Sequence, residues 1–156
     1  MTFSVQTPAF KPDGSIPRQF SRDGGNVSPL VAWKESPPGT HSFAIVVEDP
    51  DAPTGTFRHW AAYDIPAEAR MLTEGAGSRE QGAAVQMGIN DFGNARYDGP
   101  QPPPGHPAHH YHFRLFALDV PALELDEGCT AEDVLEAARA HSLAEAESIG
   151  TFAPPA

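Results

Sequence analysis

Short apolar segments, separated by prolines and glycines, recur along most of the chain. Six of them fit β-strands, because each either alternates between apolar and polar residues or forms a short continuous apolar run. These segments span residues 3–6, 31–34, 42–48, 59–65, 112–118 and 144–152. The continuous runs at 42–48 and 59–65 indicate strands that are covered on both faces. The pattern as a whole predicts a mainly β protein of the sandwich type.

One segment has helical periodicity. Residues 131–141 place Val134 and Leu135 on a narrow apolar stripe, which suits a helix packed against a sheet. Thr130 is a favourable N-cap, and Asp133 stands three residues later, where a capping box has its acidic or amide partner. The sequence therefore predicts one amphipathic helix that begins after Thr130.

The length of 156 residues favours one domain, spanning residues 1–156, with its own core. The formal net charge of −11 argues against binding of nucleic acid or anionic membranes through the general surface. No segment approaches the ~20 apolar residues that span a bilayer, and the N-terminal residues do not resemble a signal peptide. We therefore expect a cytoplasmic protein. The single cysteine, Cys129, excludes an internal disulfide and a multi-cysteine zinc site.

Two polar loops carry the candidate chemistry. The apolar run 42–48 ends in Asp49-Pro50-Asp51-Ala52-Pro53, where two prolines remove backbone donors from the end of a core strand. The second loop, residues 98–111, is rich in proline and carries histidines. The polar residues that we group into one pocket are Asp49, Asp51, His59, His106 and His109. Histidine donors and loop amides suit a phosphate-like anion. In the alternative interpretation, Asp-Pro-Asp caps a turn and the histidines lie on the surface.

Other chemistries are less well supported by the sequence. Aspartate and histidine ligate zinc, manganese or iron, but the chain has no His-Glu-x-x-His spacing, and we predict neither a metal site nor a cofactor. No Gly-x-Ser-x-Gly elbow is present, so no catalytic residue is assigned. Acid–base catalysis by Asp49 with His59 or His109 remains an alternative.

Five motifs in order resemble the phosphatidylethanolamine-binding protein family, and more closely its bacterial, Raf-kinase-inhibitor-like branch. They are Asp-Pro-Asp-Ala-Pro at 49–53, Arg-His-Trp at 58–60, Asn-Asp-Phe-Gly at 90–93, Tyr-Asp-Gly-Pro at 97–100, and His109-x-Tyr111-x-Phe113. The resemblance covers nearly the whole chain. One departure is His110, which stands where the family often has arginine.

The resemblance implies a β-sandwich with a large central sheet, a smaller sheet and one or two short helices. It also implies a pocket for phosphate and phosphorylated head groups, in which His59 and His109 donate to the anion, Asp49 orients or donates, and Tyr111 packs or donates. The family's pocket positions correspond to Asp49, Asp51, Pro53, His59, Pro102, Pro103, His109 and Tyr111.

The expected function is therefore small-anion binding, with a regulatory role exerted through the ligand or through a protein partner. Modulation of a kinase or protease is an alternative that the resemblance also implies. We further expect a homodimer as one possible assembly, since a free sheet edge or pocket face invites a second copy. The isomer of the Ala52–Pro53 bond is left open.

Overall fold

The computed structural model describes residues 2–78 and 85–155. Within them, the chain forms eight β-strands, one α-helix and a short 3-10 turn at Arg18–Phe20. The strands are β1 (Ser4–Gln6), β2 (Val31–Lys34), β3 (Ser42–Asp49), β4 (Phe57–Pro66), β5 (Met71–Leu72), β6 (Gln86–Met87), β7 (His109–Leu118) and β8 (Ser142–Phe152). The helix α1 spans Ala131–Ala140.

The strands form two antiparallel sheets. The larger sheet has the order β6-β4-β3-β7-β8, and the smaller one has the order β1-β2-β5. The predicted mainly β architecture, with a large sheet, a smaller sheet and a short helix, is confirmed.

The central strand β3 supplies both layers of the core. All of its residues are buried, as the continuous apolar run predicts. Phe43, Ile45 and Val47 point into the layer between the sheets, where the ring of Trp33 lies 5.1 Å from that of Phe43. Ala44 and Val46 point into the layer beneath the helix. The odd-numbered face of β3 thus leads directly to Asp49 at the end of the strand.

The strand boundaries differ from the predicted ones where partner strands supply hydrogen bonds. Strand β7 begins at His109, three residues before the predicted start, because it pairs with β8 from the His109–Phe152 position onwards. Strand β4 begins at Phe57, which is paired with Asp49. The two-residue strands β5 and β6 were not predicted, because elements so short carry no recognisable periodicity.

The helix begins as predicted. The Thr130 side chain accepts a hydrogen bond from the Asp133 amide at 3.2 Å, and the Asp133 carboxylate accepts one from the Thr130 amide at 3.0 Å. This reciprocal pair is a capping box, which satisfies two otherwise unpaired donors. The apolar stripe packs on the sheet through Val134 and Leu135.

The capping box predicts a measurable stability difference. Thr130→Ala should lower the free energy of unfolding by about 1 kcal/mol, because the Asp133 amide loses its acceptor. Thr130→Ser keeps that acceptor and should stay close to the wild type in urea-induced unfolding. Equal destabilisation by both substitutions would show that the methyl group, and not the hydrogen bond, matters here.

Candidate functional site

A surface cavity of about 230 Å³ lies at the end of the large sheet where β3 and β4 meet. Seven of the eight predicted site residues line it: Asp49, Pro53, His59, Pro102, Pro103, His109 and Tyr111. Five lining residues were not predicted, namely Ala52, Thr54, Phe57, Phe92 and Gln101. Phe92 lies in a motif that marked the resemblance, whereas no sequence signal identified Thr54 or Gln101.

Asp51 lies outside the cavity lining. Its carboxylate accepts hydrogen bonds from both the backbone amide and the ring Nδ1 of His110, each at 2.8 Å. The hydrogen bond from the His110 ring lowers the pKa of Asp51. The chain turns immediately after Asp49, which directs Asp51 towards the exposed His110, the second residue of β7. His110 therefore has a partner that sequence reasoning did not assign.

Asp49 has two structural partners. One carboxylate oxygen accepts a hydrogen bond from the Asp51 amide at 2.8 Å, which is the pattern of an Asx turn. The other lies 2.7 Å from Nδ1 of His109, and both side chains are buried. The turn-capping interpretation and the pocket interpretation therefore both apply to Asp49. The Ala52–Pro53 bond that follows is trans.

A β-bulge aims His59 at the cavity. Val47 pairs with Trp60 and Glu48 pairs with Arg58, so two residues of β4 stand opposite one residue of β3. Arg58 turns to the other face of the sheet, where its guanidinium lies 3.1 Å from the Glu48 carboxylate. His59 turns into the cavity wall instead.

The hydrogen bonding of His59 fixes its tautomer. Its Nδ1 lies 2.8 Å from the backbone carbonyl oxygen of Asp98. A carbonyl oxygen only accepts, so Nδ1 carries the proton. Burial lowers the pKa of His59, although the Asp98 carbonyl opposes this effect. The ring is therefore neutral near neutral pH, and its remaining nitrogen, Nε2, is an acceptor. Donation from His59 to an anion, as expected from the resemblance, requires a protonated ring.

The carboxylate of Asp98 holds the loops around His59. It is fully buried and accepts hydrogen bonds at 2.8–2.9 Å from the side-chain amides of Asn26, Asn90 and Asn94. The Arg96 guanidinium adds a contact at 3.3 Å. Burial alone would raise the pKa of Asp98, but the three amide hydrogen bonds and Arg96 outweigh it and hold this pKa below its usual range. Sequence reasoning gave Asp98 no such role.

His109 has no ring nitrogen without a partner. Its Nδ1 faces Asp49, and its Nε2 lies 3.2 Å from Nδ1 of His106. His106, which we grouped with the pocket, therefore contacts His109 but does not line the cavity. The Asp49, His109 and His106 side chains form a continuous hydrogen-bonded chain from the buried strand end to the Pro-rich loop.

Tyr111 lines the cavity, and its hydroxyl is buried. Among the residues that the structure describes, this hydroxyl makes no hydrogen bond of good geometry, although the Asp49 carboxylate and the Gln101 backbone lie close enough to influence it. Burial raises the pKa of Tyr111, and the nearby Asp49 carboxylate raises it further, so the phenol stays protonated and can donate. A buried unpaired hydroxyl costs about 1–3 kcal/mol unless a ligand or water bonds to it.

Aromatic rings in the cavity lining pack against His59. Phe57 and Phe92 pack edge-to-face at 4.7 Å, and both rings contact His59. The Arg22 guanidinium lies 4.1 Å from the centre of the Phe92 ring and donates to Gln101 at 3.1 Å. Arg22 thus supports two lining residues from outside the cavity.

Within residues 2–78 and 85–155, no cluster of three or more histidine, cysteine, aspartate or glutamate side chains is arranged to hold a metal ion. The same part of the chain has no helix long and apolar enough to cross a membrane. Cys129 lies away from the cavity, with its sulfur 3.4 Å from the Tyr63 hydroxyl.

The protein is of a mainly β class: two antiparallel sheets, with a cavity lined by aspartate and histidine at the end of the larger sheet. The chain matches the family model for phosphatidylethanolamine-binding protein over residues 6–153, and it belongs to that family.

Relatives from distant organisms support the assignment. A UPF0098 protein of Aquifex aeolicus is 42% identical over 148 residues, covering 95% of this chain and 86% of the relative. A UPF0098 protein of Methanothermobacter thermautotrophicus is 41% identical over 152 residues, covering 96% of this chain and 97% of the relative. The crystal structure of Escherichia coli YbcL, described as a new member of the mammalian family, superposes with a TM-score of 0.94 at 32% identity and covers 99% of this chain and 100% of YbcL.

The buried carboxylate predicts a large, pH-dependent effect for Asp98→Asn. At pH 7 the substitution should lower the free energy of unfolding by about 2 kcal/mol or more, because charge-assisted hydrogen bonds are lost. The folded-state pKa is depressed, so this stabilisation is present above the unfolded-state pKa near 4 and disappears as the pH falls through the folded-state value.

Urea unfolding at pH 7 and pH 3 measures this difference, with exposed Asp126→Asn as the control. A difference between Asp98→Asn and the wild type that stays constant between the two pH values would contradict the assignment.

Proposed function

We propose that the cavity binds a small phosphate-like anion and that the protein exerts a regulatory effect through this binding. The observation that carries the proposal is a small cavity whose lining brings Tyr111 beside His59, with the Tyr111 hydroxyl buried and short of a well-formed hydrogen bond. A ligand oxygen that accepts a hydrogen bond from this hydroxyl relieves the free-energy cost of burying the hydroxyl, and this favours the complex.

The size of the cavity favours a small ligand or one head group of a larger molecule. Its volume of about 230 Å³ is below the ~300–1,000 Å³ typical of sites for drug-sized ligands. The walls are largely aromatic and proline side chains, which exclude water and strengthen the few polar contacts.

The charged residues of the cavity lining favour an anion in a protonated, singly charged form. The described lining contains no lysine or arginine, and it contains the carboxylate of Asp49. A doubly charged anion would therefore lie near a negative charge without a fixed cation. A protonated phosphate oxygen can donate to Nε2 of neutral His59, while another phosphate oxygen accepts from Tyr111. Alternatively, His59 takes up the proton itself.

A second candidate function is acid–base catalysis on a small substrate. The 2.7 Å hydrogen bond from His109 to Asp49 favours it, since a carboxylate that orients a histidine is a common arrangement in general-base catalysis. Turnover that is lost in Asp49→Asn would support this candidate. The regulatory effect in the first proposal could be exerted on a kinase or protease that binds at the cavity. Competition between such a partner and phosphate would test this version.

Calorimetric titration with phosphate, phosphoethanolamine and the uncharged analogue N-acetylethanolamine tests the binding proposal. Both phosphate compounds should bind and N-acetylethanolamine should not. Tyr111→Phe and His59→Ala should each weaken phosphate binding about tenfold, because each removes one hydrogen bond of about 1.4 kcal/mol. His141→Ala, at an exposed histidine paired with Asp119, serves as the control. Equal affinity for all three ligands would refute the proposal.

The pH dependence should differ between two anions. Sulfate cannot donate a hydrogen bond near neutral pH, so its binding requires a protonated His59. Because the pKa of free His59 is lowered, sulfate affinity should fall as the pH rises from 6 to 8, approaching tenfold per pH unit for one bound proton. Phosphate should show a smaller decline, because it supplies its own proton. Sulfate binding that is independent of pH would contradict this account.

A further inference from the structure

A tight turn holds His106 over the start of β7. The His106 amide donates to the Pro103 carbonyl at 3.2 Å, and Gly105 has a φ of +83°. Proline at the second position and glycine with positive φ at the third are the signature of a type II turn. The flanking prolines stiffen this segment further, so the backbone of His106 has a defined position.

The His106 ring lies directly against His109. The two ring centroids are 5.3 Å apart, and Nδ1 of His106 is 3.2 Å from Nε2 of His109. Two imidazole nitrogens at this distance form a hydrogen bond only if a single proton lies between them. Because Nδ1 of His109 already donates to Asp49, this contact occupies its second nitrogen.

The occupied nitrogen is the one that an anion needs. His109 lines the cavity, but an anion oxygen can bond to its Nε2 only after the His106 ring has moved away, and only when Nε2 carries a proton, that is, when His109 is an imidazolium that donates from both nitrogens. His106 is partly exposed, whereas His109 is buried, so the outer ring is the one with room to move.

We propose that His106 is an internal competitor of the anion for His109, and that it sets the affinity and selectivity of the cavity. The inference rests on the proposed function, because it assigns a role at the same site. The ligands selected are anions whose oxygens are stronger acceptors than a neutral imidazole, such as phosphate monoesters. Neutral oxygen ligands do not displace His106. The titratable groups that surround the pair are Asp49, Asp51, His59, His110 and Tyr111.

Removal of the competitor should tighten binding. In His106→Ala, the affinity for inorganic phosphate at pH 6.5 should rise about tenfold over the wild type, since one competing hydrogen bond is lost. His106→Asn places an amide near the position of Nδ1 and should restore an affinity close to that of the wild type. The matched control is His110→Ala, because His110 bonds to Asp51 outside the cavity lining. It should change the affinity less than twofold.

Long-range proton–nitrogen spectra of the histidine rings give a second readout. In the wild type, phosphate should shift the Nδ1 resonance of His106 from its hydrogen-bonded position towards that of a free imidazole. The His110 resonances should stay in place.

The outcomes separate the two proposals. If the wild type binds phosphate and His106→Ala binds equally or more weakly, this inference fails alone. A loss of affinity in His106→Ala would make His106 a direct ligand of the anion. If neither protein binds phosphate, the proposed function and this inference fail together.

Discussion

The geometry of the site depends on one buried charge, the carboxylate of Asp98. An isolated carboxylate in this position would cost several kcal/mol, and the side-chain amides of Asn26, Asn90 and Asn94 offset that cost. These donors come from two separate loops, so satisfying the charge draws both loops together. The backbone of Asp98 then exchanges hydrogen bonds with His59, through its amide to the His59 carbonyl at 3.1 Å and through its carbonyl to the ring.

The protonation pattern of the cavity follows from this arrangement. His59 presents an acceptor, Tyr111 presents a donor, and the nitrogens of His109 are both occupied. A ligand must therefore match one acceptor and one donor beside the carboxylate of Asp49. This combination distinguishes a protonated anion from a fully ionised one. Because the described lining has no lysine or arginine, a proton must offset the negative charge of the anion. This proton lies either on the ligand or on a histidine.

Several features were predictable because they depend on local pattern. The buried run 42–48 identified the central strand, and Thr130 with Asp133 identified the start of the helix. Other features depend on long-range contacts. The bulge at His59 breaks the alternation of β4, and the turn after Asp49 separates it from Asp51. The hydrogen bond from Asn26 to Asp98 joins residues 72 positions apart. The family motifs placed seven residues at one cavity, but they did not show which ring nitrogens are free.

The ligand chemistry of the cavity depends on a neutral His59 whose Nδ1 proton is held by the Asp98 carbonyl. Long-range proton–nitrogen NMR of the ligand-free protein at pH 8, with His59 assigned by comparison with His59→Gln, measures this directly. We expect a protonated, pyrrole-type Nδ1 and an unprotonated, pyridine-type Nε2 for His59. A His59 ring with its proton on Nε2, or one that exchanges freely between the two tautomers, would contradict this expectation.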